Sequence, residues 1–263
     1  MSDTLGRIRG AISGPGSRVW RAVRSHLPER VAESVRVPAK RVLRRAGLLD
    51  DPAALDAEVG RIRVRTFSEL VGEGRSRKLL DLGAGPCLFA GLARDAGWVV
   101  TAVDARTERL PDPDKLHGIT FVEADVRSYD PSGFDTISIL GLLYHLTLDE
   151  QRALLSACSY TRVILETQVH TPGFVPPAAE PWGRKIVVQQ GLEGVVFPER
   201  KGGALDANPM ASVGNPTSFW LTEDSLLKLL DSCGYHSIEV ASPPFASKYG
   251  TRRFYVLNGS IRA

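Results

Sequence analysis

A short glycine-containing segment, Leu79-Leu80-Asp81-Leu82-Gly83-Ala84-Gly85-Pro86-Cys87, combines residue types that suit the binding of a charged ligand. Its central residues, Gly83-Ala84-Gly85, follow an apolar run typical of a buried strand, where glycines let a ligand approach the backbone closely. The spacing differs from the dinucleotide-binding pattern G-x-G-x-x-G, because Leu88 stands where the third glycine belongs. Asp81 would repel a pyrophosphate but can pair with an ammonium group. The segment therefore predicts a nucleotide-like cofactor with a cationic amino-acid group.

Two further acidic residues follow the next two predicted strands, at the same edge of the sheet. Asp104 comes 19 residues after Gly85, where a carboxylate can accept hydrogen bonds from both hydroxyls of a ribose. Asp125, followed by Val126, can accept a hydrogen bond from the exocyclic amino group of a purine. Taken singly, each acid has an alternative role as a helix cap or loop carboxylate. Together, the three acids predict an adenosine-containing cofactor, with Gly141 at the end of the fourth strand also in the site.

The elements that must position these residues alternate between strands and helices. A helix is predicted from Asp51 to about Val71, another ends near Ala96, a third begins at Thr147, and a fourth covers Thr222–Cys233. Strands are predicted at Lys78–Leu82, Trp98–Val103, Ile119–Glu123, Phe134–Leu140, Arg162–Glu166, Ser237–Val240 and Arg253–Leu257. The last two strands can pair antiparallel. This order predicts an α/β fold with a doubly wound, mostly parallel sheet.

Two segments stand apart from this alternation. Residues 1–50 are predicted to form a basic helical arm, because residues 1–49 carry a net charge of +8 against −5 for the remainder. The arm suits packing on the main domain or on a second subunit of a homo-oligomer; the alternative is binding of RNA or an anionic membrane surface. Within the cofactor-binding domain, residues 51–263, the segment of about 171–218 is rich in proline and glycine, which predicts a long irregular lid.

Composition excludes several other classes of protein. The 263 residues are 43% hydrophobic and 24% charged, as in globular rather than disordered or collagen-like chains. No stretch reaches the roughly 18 uncharged apolar residues of a membrane-spanning helix, so no transmembrane segment is expected. Arginines interrupt every possible signal-peptide core near the N-terminus, and three scattered cysteines suit a reducing compartment. These features predict a cytoplasmic location.

The motifs described above resemble those of the class I S-adenosylmethionine-dependent methyltransferases. Asp81-Leu82-Gly83-Ala84-Gly85 is similar to the glycine loop of the family, Asp104 to its ribose-binding acid, and Asp125 to its adenine-side acid. The resemblance covers about residues 50–258 and departs at Cys87, where the family often has a third glycine. It implies S-adenosylmethionine as the cofactor and a Rossmann-like, seven-stranded sheet whose last strand is antiparallel.

A narrower resemblance lies around the fourth strand. Phe134-Asp135 and Gly141-Leu142-Leu143-Tyr144-His145-Leu146 are similar to methyltransferases related to the tRNA uridine-oxyacetate carboxymethyltransferases, and equally to bacterial small-molecule and sugar O-methyltransferases. We expect O-methylation of a small molecule or sugar. The alternatives are a tRNA-modifying methyl or carboxymethyl transferase, with tRNA as the partner, and a non-catalytic cofactor- or RNA-binding protein.

His145 is the predicted general base. Transfer to a hydroxyl requires that the acceptor be held in line and lose its proton during attack, and an imidazole at the cofactor edge of the sheet suits that task. The alternative is that Tyr144 and His145 only cover the methionine part of the cofactor. His117 and His236 are expected to be exposed.

Three other groups of residues have predicted roles near the site. Glu166 and His170 are further catalytic candidates. Together with His145 they could bind a divalent metal ion that orients a sugar diol; the alternative is a supporting role without metal. One of three arginines before the first strand can reach the cofactor carboxylate, unless all lie on a solvated helix face. These arginines are Arg61, Arg63 and Arg65. Aromatic residues in or beside the lid either stack on the acceptor or anchor the lid; they are Trp182, Phe197, Phe219 and Trp220.

Overall fold

The computed structural model describes residues 52–171, 185–199, 213–247 and 250–259. The predicted arm, residues 1–50, lies outside the described residues. The helices within them are α1 (Pro52–Val71), α2 (Leu88–Asp95), α3 (Leu148–Cys158) and α4 (Glu223–Ser232), with 3₁₀ turns at Pro113–Leu116 and Leu143–His145. None of these helices combines the length and hydropathy needed to cross a membrane.

The strands in the described residues form two sheets. In chain order they are β1 (Lys78–Leu82), β2 (Val99–Asp104), β3 (Ile119–Glu123), β4 (Thr136–Leu140), β5 (Arg162–Val169), β6 (Val187–Gln189), β7 (Leu192–Pro198), β8 (Thr217–Leu221), β9 (Tyr235–Val240), β10 (Phe245–Ala246) and β11 (Thr251–Gly259). The main sheet has the order β10-β11-β5-β4-β1-β2-β3, and β9 also pairs with β11. Strands β1 to β5 are parallel, whereas β11 runs antiparallel to β5.

The predicted seven-stranded sheet is confirmed, with one of the seven strand positions shared by two separate strands. Both β9 and β10 pair with β11 on the edge opposite β5, so they occupy successive parts of the same position. Pro243 and Pro244 lie between them, and proline cannot donate a ladder hydrogen bond. The antiparallel pairing of the two predicted closing strands is also confirmed.

Helices cover both faces of the main sheet, which confirms the doubly wound arrangement. On one face, Phe67 of α1 and Phe89 of α2 pack in a cluster with Leu79 of β1. On the other face, α3 and α4 pack in a cluster with Leu80. Because side chains alternate along a strand, Asp81 lies on the same face as Leu79, towards α1 and α2.

The second, small sheet lies in the segment that the sequence predicted to be an irregular lid. Strands β6, β7 and β8 pair antiparallel there, which corrects that expectation; residues 172–184 and 200–212 lie outside the described residues. The small sheet is joined to the main one through the turn after β4. Phe219 N–H donates to the Leu146 carbonyl at 3.0 Å, and the Gln151 amide donates to both the Leu146 and the Phe219 carbonyls.

Candidate active site

A pocket of about 350 Å³ lies at the carboxyl edge of the main sheet, a volume within the range of small-molecule sites. Every residue predicted to bind the cofactor lines this pocket, namely Asp81, Gly83, Ala84, Gly85, Asp104, Asp125, Val126 and Gly141. Tyr144 and His145 line it as well. Glu166 and His170 are not among its lining residues.

The glycine loop is tied to the end of β2. The N–H groups of Gly83 and Ala84 both donate to the Val103 carbonyl, at 2.9 and 3.1 Å. Gly85 has a φ of +50°, and a Cβ there would approach a guanidinium nitrogen of Arg109 to 3.1 Å. Cys87, where the family often has a third glycine, adopts the left-handed conformation with a φ of 54°. The loop therefore keeps a glycine-like backbone at the position where the sequence departs from the family.

Asp104 is held by the loop that it faces. Its Oδ2 accepts a hydrogen bond of 2.8 Å from Gly85 N–H, and its Oδ1 accepts one of 2.9 Å from Arg106 N–H. A carboxylate has about four acceptor positions, so both oxygens can still accept from a ligand. The side chain is thus oriented at the pocket wall with capacity for two hydroxyl groups.

Asp125 is paired with an arginine that sequence reasoning missed. Arg127 donates to both carboxylate oxygens, at 2.9 and 2.5 Å, and this hydrogen bonding holds the pKa of Asp125 below its usual value. Arg127 also contacts Glu150 at 2.7 Å and the Asn215 side chain at 3.3 Å. Asp125 is therefore ionised and linked through Arg127 to Asn215, which lies shortly before β8. The acid and the arginine two residues later form a local signal that could have indicated this pair.

Asp81 is the most deeply buried of the three acids, with 2% of its surface exposed. Its Oδ1 accepts a hydrogen bond of 2.7 Å from the Ser138 hydroxyl, while Oδ2 has no hydrogen-bond partner within the described residues. Burial raises the pKa of Asp81 to about 6, although the Ser138 hydrogen bond and the charge of Arg63 oppose the change. A buried oxygen without a donor, at a pocket wall, fits a ligand ammonium group.

Glu166 does not have the catalytic or metal-binding environment that the sequence predicted. It is fully buried, its Oε2 accepts from Arg63 Nε at 3.1 Å, and its Oε1 accepts from Arg252 Nη1 at 2.5 Å. Burial alone would raise the pKa of Glu166, but the charges of Arg252 and Arg63 outweigh it and hold the pKa below its usual value. The carboxylate is therefore a fixed counter-ion for two arginines that line the pocket.

The predicted metal site is not assembled. Among the residues that the structure describes, no group of three or more histidine, cysteine, aspartate and glutamate side chains could hold a metal ion. His170 lies beyond β5, where its N–H donates to the Leu221 carbonyl at 2.8 Å and it forms an isolated bridge with Thr222. This position joins the two sheets, whereas His145 lines the pocket.

His145 is held in the 3₁₀ turn after β4 with about a quarter of its side chain exposed. Its ring centroid lies 4.4 Å from that of Tyr144, whose hydroxyl accepts a hydrogen bond of 2.6 Å from Arg252. Its Nδ1 lies 3.4 Å from Oε1 of Glu199. Sequence reasoning missed both Glu199 and Arg252, because neither lies in a motif and each reaches the site from a distant strand. His117 and His236 are exposed, as predicted.

The described lid aromatics are mostly buried. Phe219 and Trp220 are 2% and 3% exposed, and the Trp220 ring stacks on Phe197 and meets Tyr144 edge-on. This packing favours the alternative in which they anchor the lid. Trp182 lies outside the described residues.

Comparison with known proteins identifies the fold. The chain has the Rossmann-like fold of the class I S-adenosylmethionine-dependent methyltransferases, as three solved structures illustrate. The N-terminal domain of EvdMO1, solved in the presence of SAH and D-fucose, is 23% identical, with a TM-score of 0.55 over 75% of this chain and 82% of that one. No protein-family model and no curated protein matches the sequence.

The other two structures have the same fold at lower identity. The Burkholderia thailandensis 1,6-didemethyltoxoflavin-N1-methyltransferase, with bound 1,6-didemethyltoxoflavin and S-adenosylhomocysteine, is 17% identical, with a TM-score of 0.51 over 81% of this chain and 92% of that one. The glycopeptide N-methyltransferase MtfA, complexed with (S)-adenosyl-L-homocysteine, is 18% identical, with a TM-score of 0.50 over 75% and 89%. These similarities confirm the predicted fold class.

Proposed function

We propose that the protein is an S-adenosylmethionine-dependent methyltransferase that methylates a hydroxyl of a small molecule or sugar, with His145 as the general base. The observation that carries this proposal is the buried oxygen of Asp81 that has no partner among the described residues, in one pocket with Asp104 and Asp125 at the ends of successive strands. The structural neighbour solved with SAH and D-fucose supports a sugar-like acceptor.

Each end of the cofactor has a suitable partner in the pocket. Asp81 would hold the ammonium group, Asp104 the ribose hydroxyls, and Asp125 the adenine amino group. Arg63 would hold the carboxylate, because Arg63 and Arg252 together carry one more positive charge than Glu166 neutralises. When bound, S-adenosylmethionine supplies an electrophilic methyl group on a sulfonium. His145 then removes the proton of the acceptor hydroxyl as the oxygen attacks.

Replacing Asp104 with alanine is expected to weaken binding of S-adenosylhomocysteine by about 100-fold or more, because two hydrogen bonds to a charged acceptor contribute about 1.5–3 kcal/mol each. Isothermal titration calorimetry measures the loss directly. Asp114→Ala, at an exposed position, is the matched control and should bind normally. An Asp104→Ala protein that stays folded and binds as tightly as the unsubstituted one would contradict the cofactor assignment.

Binding should also weaken at low pH through Asp81. Only the ionised carboxylate pairs with the ammonium group, so the affinity falls as the pH falls through the pKa of about 6, and binding takes place with release of a proton in this range. Affinity for S-adenosylhomocysteine should be about tenfold lower at pH 5 than at pH 7. Calorimetry in buffers of different ionisation enthalpy measures both the affinity and the released proton.

Two variants separate Asp81 from other titrating groups. Asp81→Asn should bind weakly with little dependence on pH, because no carboxylate remains to titrate. Ser138→Ala should move the midpoint to higher pH, because the Ser138 hydroxyl lowers the pKa of Asp81. A native profile that is flat between pH 5 and 7 would rule out this role for Asp81.

Methyl transfer is tested with a labelled methyl donor and panels of sugars, hydroxylated metabolites, amines and tRNA. Labelling of a hydroxylated small molecule, located on oxygen by NMR, is the expected result. Labelling on nitrogen would favour the second candidate, an N-methyltransferase, which two of the structural neighbours suggest. Labelling of tRNA would instead place the protein among RNA-modifying enzymes, and cofactor binding without any transfer would favour a binding protein.

A further inference from the structure

A buried carboxylate of the small sheet lies beside the imidazole of His145. Glu199, the residue after β7, is 8% exposed, and its Oε1 lies 3.4 Å from Nδ1 of His145. The Ser218 hydroxyl donates a hydrogen bond of 2.9 Å to the same oxygen. The backbone N–H of Glu199 donates to the Pro216 carbonyl at 3.0 Å. Both the side chain and the backbone of Glu199 are thus held by the segment that contains β8.

Glu199 differs from the other acids of the site in its partners. Glu166 pairs with two arginines, and Asp125 pairs with Arg127. Within the described ranges, no lysine or arginine pairs with Glu199, and the only nitrogen in contact with its side chain is Nδ1 of His145. A buried carboxylate is unfavourable unless it is paired or hydrogen-bonded. Its charge therefore acts mainly on the imidazole.

We propose that Glu199 is a positioning residue that fixes the tautomer of His145 in which Nδ1 carries the proton. This proposal rests on the proposed role of His145 as the general base. By accepting the Nδ1–H hydrogen bond, the carboxylate leaves Nε2 unprotonated, and Nε2 makes no hydrogen bond to any residue that the structure describes. The distance of 3.4 Å is long, as catalytic contacts often are before substrate binds.

The proton balance of the step explains why the carboxylate matters. The O–H bond of the acceptor breaks and its proton moves to Nε2 of His145. The oxygen forms a bond to the methyl carbon, and the electron pair of the breaking carbon–sulfur bond goes to sulfur, which becomes a neutral thioether. The imidazolium that results is stabilised by the adjacent negative charge of Glu199.

The base is assembled only where the two sheets meet. His145 comes from the turn after β4 of the main sheet, and Glu199 comes from the small sheet. The hydrogen bond from Phe219 N–H to the Leu146 carbonyl holds these two parts together one residue beyond His145. The small sheet therefore completes the proton acceptor.

The tautomer can be measured without knowing the acceptor. The protein labelled with ¹⁵N-histidine is studied by long-range ¹H–¹⁵N NMR above the titration range of its histidines, and the signals of His145 are assigned by their loss in His145→Ala. We expect Nδ1 of His145 to carry the proton, although free histidine in water prefers the other tautomer. In Glu199→Gln, whose amide can donate to Nδ1, the ring should change mainly to the Nε2-protonated form. Glu193→Gln, an exposed change in β7, should leave the spectrum unchanged.

An Nε2-protonated ring in the unsubstituted protein would overturn the proposal, even if Glu199→Gln does not fold. An unchanged tautomer in a folded Glu199→Gln protein would overturn it as well. Once an acceptor is known, Glu199→Gln should lower kcat by about 10- to 1,000-fold with little change in the affinity for S-adenosylhomocysteine. The expected tautomer in a protein that transfers no methyl group would sustain this geometry and reject the proposed function. Methyl transfer by a protein whose His145 is protonated on Nε2 would sustain the proposed function and reject the role of Glu199.

Discussion

Replacing Glu166 with alanine is expected to lower the free energy of unfolding by about 3–5 kcal/mol, the cost of removing one partner of a buried ion pair. Glu166 is fully buried and is the only carboxylate that pairs with Arg63 and Arg252 in the described part of the chain. Without it, two guanidinium groups remain beside each other with their charges uncompensated. Chemical denaturation measures the loss, provided that a single cooperative transition is seen.

A matched control distinguishes this buried pair from an ordinary one. Glu58 pairs with Arg61 on the same helix as Arg63, but the Glu58 side chain is 53% exposed. Because exposed ion pairs contribute about 0–1 kcal/mol, Glu58→Ala should change the stability little. Similar losses in Glu166→Ala and Glu58→Ala would show that the buried network contributes no more than a surface pair.

The environment of Glu166 also shows where local sequence patterns mislead. The fifth strand was predicted to end at Glu166, which placed this residue at the edge of the sheet. In the structure β5 continues to Val169, because β11 pairs with it from Thr251 to Leu257. Glu166 therefore lies inside a strand, opposite Phe254, where its buried charge requires pairing with Arg63 and Arg252. The length of a strand is set by its partner as well as by its own residues.

The common position of the three pocket acids was predictable because each depends on a local signal. Asp81 lies one residue before the end of an apolar strand, Asp104 ends the next strand, and Asp125 follows the third. Parallel strands bring their carboxyl ends to one edge of a sheet. Their common position in the pocket then follows from the fold class alone. Cys87 shows the limit of the motif itself, because a non-glycine residue takes up the glycine conformation there.

Glu199 was not predictable in the same way. It lies 54 residues from His145, at the end of a small sheet whose shortest strand has three residues. The buried and exposed residues of the adjoining strand β7 do not alternate strictly, so this strand gives little periodic signal. Arg252 is similar, since it lies 86 residues beyond Glu166 and reaches it only through strand pairing. Contacts between distant segments, rather than local patterns, complete the candidate proton acceptor and the arginine pair.

His145→Ala is expected to lower kcat by about 100- to 10,000-fold, the usual contribution of a general base. The imidazole lines the pocket and contacts the ring of Tyr144 and the carboxylate of Glu199, but in the described part of the chain none of the three proposed cofactor acids is hydrogen-bonded to it. The affinity for S-adenosylhomocysteine should therefore change little, and calorimetry measures it in parallel with the rate of methyl transfer.

The two roles proposed for His145 predict opposite results for its alanine variant. If His145 only covers the methionine part of the cofactor, His145→Ala should weaken cofactor binding and leave kcat within about tenfold of the native value at saturation, because lost ground-state binding does not slow the chemical step. His117→Ala is the matched control, since His117 is exposed and remote in sequence from the pocket residues after β4. A large loss of kcat with unchanged affinity, seen for His145→Ala and not for His117→Ala, is the combination that only a proton acceptor explains.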